Sequence, residues 1–203
     1  HGEARGRGGR RCTLGVHEAA VVPTLLERAG VAPAAAVLAG SSLGSGVALA
    51  AAVMLADRGS PVGGVFMEAP YRVPATPAEN VLRARGLPTR AILRPALTWV
   101  GWRMGAPRGW LREGGAFDRA ALAARIAEVA PTTRLCVLHG DQDSVCPLAD
   151  GRAIAEAARG EIRVVEGGGH LDLWTEHRQR AGDGLSSIGL GRTGLTARGS
   201  GGR

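Results

Sequence analysis

A chain of 203 residues, 45% of them hydrophobic, is long enough for one domain with its own core, and it holds no apolar run near the roughly 20 residues that cross a bilayer. Its formal charge of +7 comes from 25 basic residues, all arginine, with four in residues 1–11 and five in residues 178–203. The rest of the chain is balanced and shows no basic patch with interleaved aromatic residues, which argues against nucleic-acid binding, and three cysteines without a CxxC spacing argue against a disulfide framework or a zinc site.

Apolar runs and helical patterns alternate along the chain after 13 residues that are rich in glycine and arginine. In chain order they predict a helix over 15–30 that Pro23 kinks or restarts, a strand over 34–40, a helix over 46–59, a strand over 62–70, a helix over 117–131 capped by Asp118, a strand over 133–140, a helix over 148–160, a strand over 161–167 and a helix that begins near His170. This order predicts an α/β fold with a mostly parallel sheet flanked by helices.

Two segments depart from the alternation. Residues 71–118 hold five prolines and three of the four tryptophans, so we interpret them as an insertion with ill-defined helical patches and with the tryptophans as its core. Residues 181–203 hold eight glycines and no apolar period, which predicts a disordered tail. The predicted domain therefore covers residues 1–180.

A short stretch, LAGSSLGSGVALA, contains three serines between two apolar runs, and its glycines distinguish one of them. A nucleophile on a strand-to-helix turn needs small residues two positions before and after it, because these positions approach each other closely. Gly40 and Gly44 stand at these positions around Ser42, whereas Ser41 and Ser45 lack such neighbours. The pattern predicts Ser42 as a nucleophile, with the amide of Leu43 as an oxyanion donor at the start of the next helix.

A nucleophilic serine needs a base and an orienting carboxylate, and parallel sheets gather such groups on loops at the carboxyl ends of their strands. The third predicted strand leads into HGDQDSVCP, residues 139–147, and the fourth leads into GGGHLDLW, residues 167–174. Each loop can supply one of the two partners of the serine. The three groups then follow one another along the chain in the order Ser, Asp, His. We interpret His139 and Cys146 as packed residues.

The segments GSSLGSGVAL, LHGDQDSVCP and VVEGGGHLDLW together resemble the α/β-hydrolase family, especially its monoacylglycerol-lipase-like and serine-aminopeptidase-like branch. The resemblance implies a Ser-His-Asp triad of Ser42, His170 and Asp143, with Asp143 falling three residues after the glycine of an HG pair. It leaves Asp141 to shape the loop, and it makes residues 71–118 a lid.

The activity implied by this resemblance is the cleavage of a small ester, thioester or amide through an acyl-enzyme. It requires no metal or cofactor and no nucleic acid or stable membrane insertion. The odd, unpaired set of cysteines fits a reducing cytoplasm best, so we expect a cytoplasmic protein.

The family pattern has several strands before the nucleophile strand, and a loop after an early strand that gives a second oxyanion amide. Here about 40 residues precede Ser42, and His1-Gly2 matches either that loop or a later glycine-rich loop. We therefore expect an N-terminally incomplete chain. The alternative function is a catalytically impaired or non-catalytic fragment, or a binding module, with the same fold.

Overall fold

The computed structural model describes residue 15 and residues 17–173, except residues 108 and 171, and describes the backbone alone at residue 90. The tail predicted over 181–203, the first 14 residues and nearly all of the last predicted helix lie outside the described residues. The strands are β1 (Val37–Ser41), β2 (Gly64–Glu68), β3 (Arg134–Gly140) and β4 (Glu161–Val165). The α-helices are α1 (Val22–Arg28), α2 (Leu43–Asp57), α3 (Ala75–Ala84), α4 (Thr89–Met104), α5 (Arg119–Val129) and α6 (Leu148–Ala157).

The four strands form one parallel sheet in the order β1-β2-β3-β4, which confirms the predicted architecture. The register pairs Ser41 with Glu68 at the end of β1 and β2, and Gly140 with Val165 at the end of β3 and β4. The carboxyl ends of all four strands therefore meet at one edge of the sheet. The loops with the predicted site residues follow directly from that edge.

The core lies mainly between the sheet and the helices α2, α5 and α6. Alanine-rich α2 buries ten of its fifteen residues, and small side chains let it pack closely on Val65 and Met67 of β2. A second cluster on the other face of the sheet contains Phe66, Leu138 and Leu173. The central strands are thus covered on both faces, as the continuous apolar runs predict.

Strand β1 differs from the central strands. Residues 33–35 form a 3₁₀ turn, so the strand begins at Val37, later than predicted. Ala39 is exposed and the other residues of β1 are only half-buried, whereas all five residues of β2 are buried. Among the described strands, β1 pairs only with β2 and lies at the edge of the sheet.

The segment predicted as ill-defined holds two regular helices, α3 and α4, and Pro95 lies inside α4. Trp110 is buried and packs edge-to-face on Phe117, with the ring centroids 5.8 Å apart, as the core interpretation predicts. That interpretation is wrong for Trp99 and Trp102, which are 59% and 78% exposed.

Candidate active site

Ser42 occupies a strained turn between the last residue of β1 and the first residue of α2. Its backbone angles are φ 49° and ψ −110°, a region that non-glycine residues rarely adopt. A Cβ on Gly40 would lie 2.2 Å from the carbonyl oxygen of Gly44, so the turn excludes a side chain there. This is the close approach that the glycine spacing predicts.

The three serines of the turn make different contacts. Ser41 donates a hydrogen bond to the buried carboxylate of Glu68, and Ser45 donates one to the carbonyl of Ser42. The Ser42 hydroxyl does not cap α2, although Ser42 holds the N-cap position. Its backbone N–H donates to the carbonyl of Glu68 at 2.8 Å, which fixes the turn to β2.

Helix α2 begins at Leu43, and the N–H groups of a first helical turn have no intrahelical partner. On the same turn, Arg119 donates from its guanidinium to the carbonyl of Leu43 at 3.5 Å and to that of Tyr71 at 2.9 Å. The Arg119 guanidinium also lies over the Tyr71 ring, 3.5 Å from its centroid. Burial lowers the pKa of Arg119. No motif in the sequence marks this arginine, which supports the turn from a distant helix.

Asp143 lies in the loop after β3 with its side chain fully buried. Its Oδ1 accepts hydrogen bonds from the backbone N–H groups of Val145 at 2.8 Å and Cys146 at 2.7 Å, and its Oδ2 lies 2.8 Å from Nδ1 of His170. Burial alone would raise the pKa of Asp143, but the hydrogen bonds from His170 and the two backbone groups outweigh it and lower this pKa below its ordinary value. Asp143 is therefore an ionised partner for the histidine.

Asp141 has a different environment. It is exposed, and its Oδ1 accepts a hydrogen bond at 2.8 Å from the backbone N–H of Gly167, in the loop after β4. The neighbouring N–H of Gln142 donates to the carbonyl of Gly168 at 2.9 Å. These contacts join the two loops, which is the loop-shaping role interpreted for Asp141.

His139 is fully buried at the end of β3. Burial lowers the pKa of His139, so the ring is neutral and its Nε2–H donates to the carbonyl of Cys146 at 2.9 Å. The same nitrogen lies 3.6 Å from Oδ2 of Asp143. His139 thus holds the loop after β3 through the carbonyl of Cys146, in agreement with its interpretation as a packed residue.

Cys146 is fully buried among the predicted site residues. Burial, followed by the negative charge of Asp143, raises the pKa of Cys146 to about 12. The Ser42 side chain acts in the opposite direction and lowers this pKa. The position of Cys146 between these side chains was not expected from the sequence, because its spacing carries no motif.

Asp143, Cys146 and His170 each offer a potential metal-ligating atom, and these atoms lie within 4.8 Å of one another. A metal would require the Cys146 thiolate, which the raised pKa disfavours, and it would compete with the hydrogen bond between His170 and Asp143. The cluster is better suited to holding a histidine and a carboxylate in one orientation than to holding a cation.

Comparisons with known proteins agree with this fold. A sequence model described as "Alpha/beta hydrolase family" matches residues 3–181. No curated protein sequence matches the chain. Within the described residues, every helix is too short or too polar to cross a membrane.

Solved structures with similar folds include a thermophilic esterase from Thermogutta terrifontis, with 19% identity, a TM-score of 0.53, and 92% of this chain and 76% of that chain covered. A meta-cleavage product hydrolase from Pseudomonas fluorescens has 14% identity and a TM-score of 0.54, with 91% and 74% covered. A puromycin-hydrolyzing peptidase from Mycobacterium tuberculosis has 17% identity and a TM-score of 0.54, with 86% of this chain but only 24% of that chain covered. At these identities the likeness concerns the fold.

Proposed function

The chain belongs to the alpha/beta hydrolase family, whose members are generally hydrolytic, and from that premise we propose that it is a serine hydrolase that uses Ser42, His170 and Asp143 as a catalytic triad. The substrate is a small ester, thioester or amide. The resemblance of the three loops favours the monoacylglycerol-lipase-like and serine-aminopeptidase-like branch of the family.

The hydrogen bond between Asp143 and His170, on loops that leave the same edge of the sheet as the Ser42 turn, carries this proposal. The backbone N–H of Cys146 also donates to Asp143, and its sulfur lies within 4.8 Å of a ring nitrogen of His170. Three loops that are far apart in sequence leave the sheet at one edge, and this supports a serine, a histidine and a carboxylate that act together.

In the proposed acylation step, the Ser42 oxygen attacks the substrate carbonyl carbon. Asp143 holds Nδ1 of His170, so Nε2 is the nitrogen that takes the serine proton. The Leu43 amide, at the start of α2, donates to the oxyanion that forms. The bond to the leaving group then breaks, and His170 delivers its proton to that group.

The second half of the cycle releases the acyl-enzyme. A water molecule gives a proton to Nε2 of His170 as its oxygen attacks the ester carbon on Ser42. Collapse of this intermediate returns the proton to the Ser42 oxygen and frees the carboxylic acid. The neutral Cys146 thiol does not compete as a nucleophile, because its raised pKa leaves it protonated at neutral pH.

The test is to measure hydrolysis of short-chain p-nitrophenyl esters and labelling by a fluorophosphonate probe. We expect the wild-type chain to be labelled on Ser42, as identified by mass spectrometry of the peptide, and the Ser42→Ala variant to lose both labelling and turnover. Labelling on Ser41 or Ser45 would contradict the assignment. A folded chain with neither labelling nor turnover would favour the non-catalytic alternative.

Asp141 and Asp143 form a matched pair for the acid assignment, since they lie in one loop and differ in their contacts. We expect Asp143→Asn to lower kcat by about 10⁴-fold, as loss of the orienting carboxylate favours the wrong imidazole tautomer. Asp141→Asn keeps an oxygen that accepts from Gly167 and should stay within about tenfold of wild type. The reverse order of the two effects would show that Asp141 is the acid.

A further inference from the structure

The balanced charge of residues 12–177 conceals one strongly basic segment. Residues 80–112, which include the second half of α3 and all of α4, contain seven arginines and no acidic residue. The rest of the chain holds 18 arginines and 18 acidic residues, so this segment carries a charge equal to that of the whole protein. The interpretation that no basic, aromatic patch exists is therefore wrong.

Helix α4 packs on the protein along one narrow face. Its half-buried positions are 89, 93, 97, 100 and 104, which follow the spacing of a single helix face, and the buried Gly101 adjoins them. Positions 92, 95, 99 and 102 follow the same spacing on the opposite face and are exposed. They hold Ile92, Pro95, Trp99 and Trp102, so the outward face of α4 is apolar.

Arginines border this outward face. At 3.6 residues per turn, Arg94 falls on one side of the apolar stripe and Arg103 on the other. Both are exposed, and the Arg103 guanidinium lies 5.2 Å from the centroid of the Trp99 ring. An apolar stripe with tryptophan, bordered by basic side chains, is the composition of helices that lie in the interface of a membrane.

We propose that the outward face of α4 is a docking surface for an anionic lipid bilayer. Trp99, Trp102 and Ile92 enter the boundary between headgroups and acyl chains, and the bordering arginines pair with lipid phosphates. Docking of this kind is peripheral and needs no spanning helix. It does not depend on the proposed catalytic function.

The arrangement fits a bilayer better than two other occupants. A nucleic acid would meet the apolar stripe first, because the arginines lie to its sides rather than on its crest. A second copy of the chain would bring another seven arginines against the first seven, which opposes association. An anionic bilayer matches both features, since it offers negative headgroups above an apolar interior.

The helix that bears the docking surface is linked to the candidate active site through α3. On α3, which pairs with α4, Asn80 donates from its side chain to the carbonyl of Val145 at 2.9 Å, two residues from Asp143. A bilayer bound to α4 would therefore contact a helix pair that is bonded to the loop of Asp143.

The test is co-sedimentation of the full chain with vesicles of phosphatidylglycerol mixed with phosphatidylcholine, compared with phosphatidylcholine alone. We expect binding to the anionic vesicles. The double variant Trp99→Ala/Trp102→Ala should weaken it at least tenfold. The matched control is Val21→Ala/Leu25→Ala, at the residue before α1 and within α1, where the side chains are 53% and 56% exposed, and it should bind like wild type.

The arginines need a separate arm, because the two ends of the chain are also basic. Arg94→Gln/Arg103→Gln should weaken binding by about 30-fold, since each basic residue near an anionic surface contributes about fivefold. Arg58→Gln/Arg134→Gln removes the same charge from exposed sites elsewhere and should have a smaller effect. High salt should weaken the arginine contribution and leave the effect of the tryptophan variant.

A spectroscopic readout locates the contact. Lipids with brominated acyl chains should quench the tryptophan fluorescence of wild type, and quenching should be lost in Trp99→Ala/Trp102→Ala, which retains Trp110 and Trp174. Retained quenching, or equal binding by the tryptophan variant and its α1 control, would overturn the proposal. So would retention on duplex DNA, or a dimer in sedimentation, that depends on these side chains without any vesicle binding.

Discussion

The turn around Ser42 and the loops around Asp143 and His170 are held in place by different forces. The turn depends on the shape of the backbone, since Gly40 leaves room that any side chain would fill. The two loops depend on hydrogen bonds to carboxylates, at Asp143 and Asp141. One half of the candidate site should therefore respond to added volume, and the other half to lost acceptors and to pH.

The two halves also differ in their place in the sheet. Ser42 follows β1, which lies at the edge of the described sheet and is only half-buried. Asp143 follows β3, whose last six residues are all buried. The serine thus stands on the less protected strand, and its position depends more on local contacts such as those of Glu68 and Arg119.

The largest effect on stability is expected from volume added to the turn. Gly40→Ala would place a Cβ 2.2 Å from the carbonyl oxygen of Gly44, and we expect it to lower the free energy of unfolding by at least about 3 kcal/mol and to abolish activity. Denaturant unfolding measures this change.

The matched control for this variant is Gly59→Ala at the end of α2. Gly59 has φ +73° and no atom within 4 Å of the added Cβ, so only the backbone conformation is penalised, by about 1 kcal/mol. If the two variants were equally destabilised, steric crowding would not be what holds the serine turn.

A smaller effect is expected in the other half of the site. Asp141→Ala removes the acceptor for the N–H of Gly167 and should cost about 1 kcal/mol of stability, with faster hydrogen exchange at that amide. The control Asp141→Asn keeps an acceptor and should cost less. Unchanged exchange at Gly167 in the alanine variant would mean that other contacts join the two loops.

The smallest effect concerns acid. The pKa of Asp143 is lower in the folded protein than in the unfolded chain, so the unfolded chain binds more protons as the pH falls below about 4. The stability that Asp143 contributes is complete above that pH and is lost as the pH falls through its folded pKa. The free energy of unfolding, measured at a series of pH values, should fall less steeply with acid in Asp143→Asn than in wild type.

Asp118 provides the comparison for this measurement, because its pKa is also lowered. Burial alone would raise that pKa, but the hydrogen bond from Arg72 and those from the backbone of Gly114 and Ala120 outweigh it. Asp118→Asn should therefore also reduce the loss of unfolding free energy at acid pH, although Asp118 lies outside the candidate site. Identical acid profiles for wild type and both variants would show that neither carboxylate controls acid stability.

Local sequence pattern was sufficient to predict the alternation of strands and helices, because apolar runs and helical spacing depend on which residues must be buried. It also distinguished Ser42 from Ser41 and Ser45, since a tight turn constrains residues only two positions away. Asp118 was recognised as a helix cap for the same reason, and its side chain accepts from the N–H of Ala120. Helix α4 was not recognised, because Pro95 interrupts the pattern that a helix would otherwise show.

Only the tertiary structure decided which residues support the site and which face solvent. Arg119 contacts Leu43 across 76 positions of sequence, and Asp143 meets His170 because two loops end at one edge of the sheet. Trp110 and Trp102 are similar in sequence context, yet one is buried and the other exposed. Local pattern fixes the turns and periodicities of a chain, whereas contacts between distant segments and the resulting exposure depend on how those segments pack.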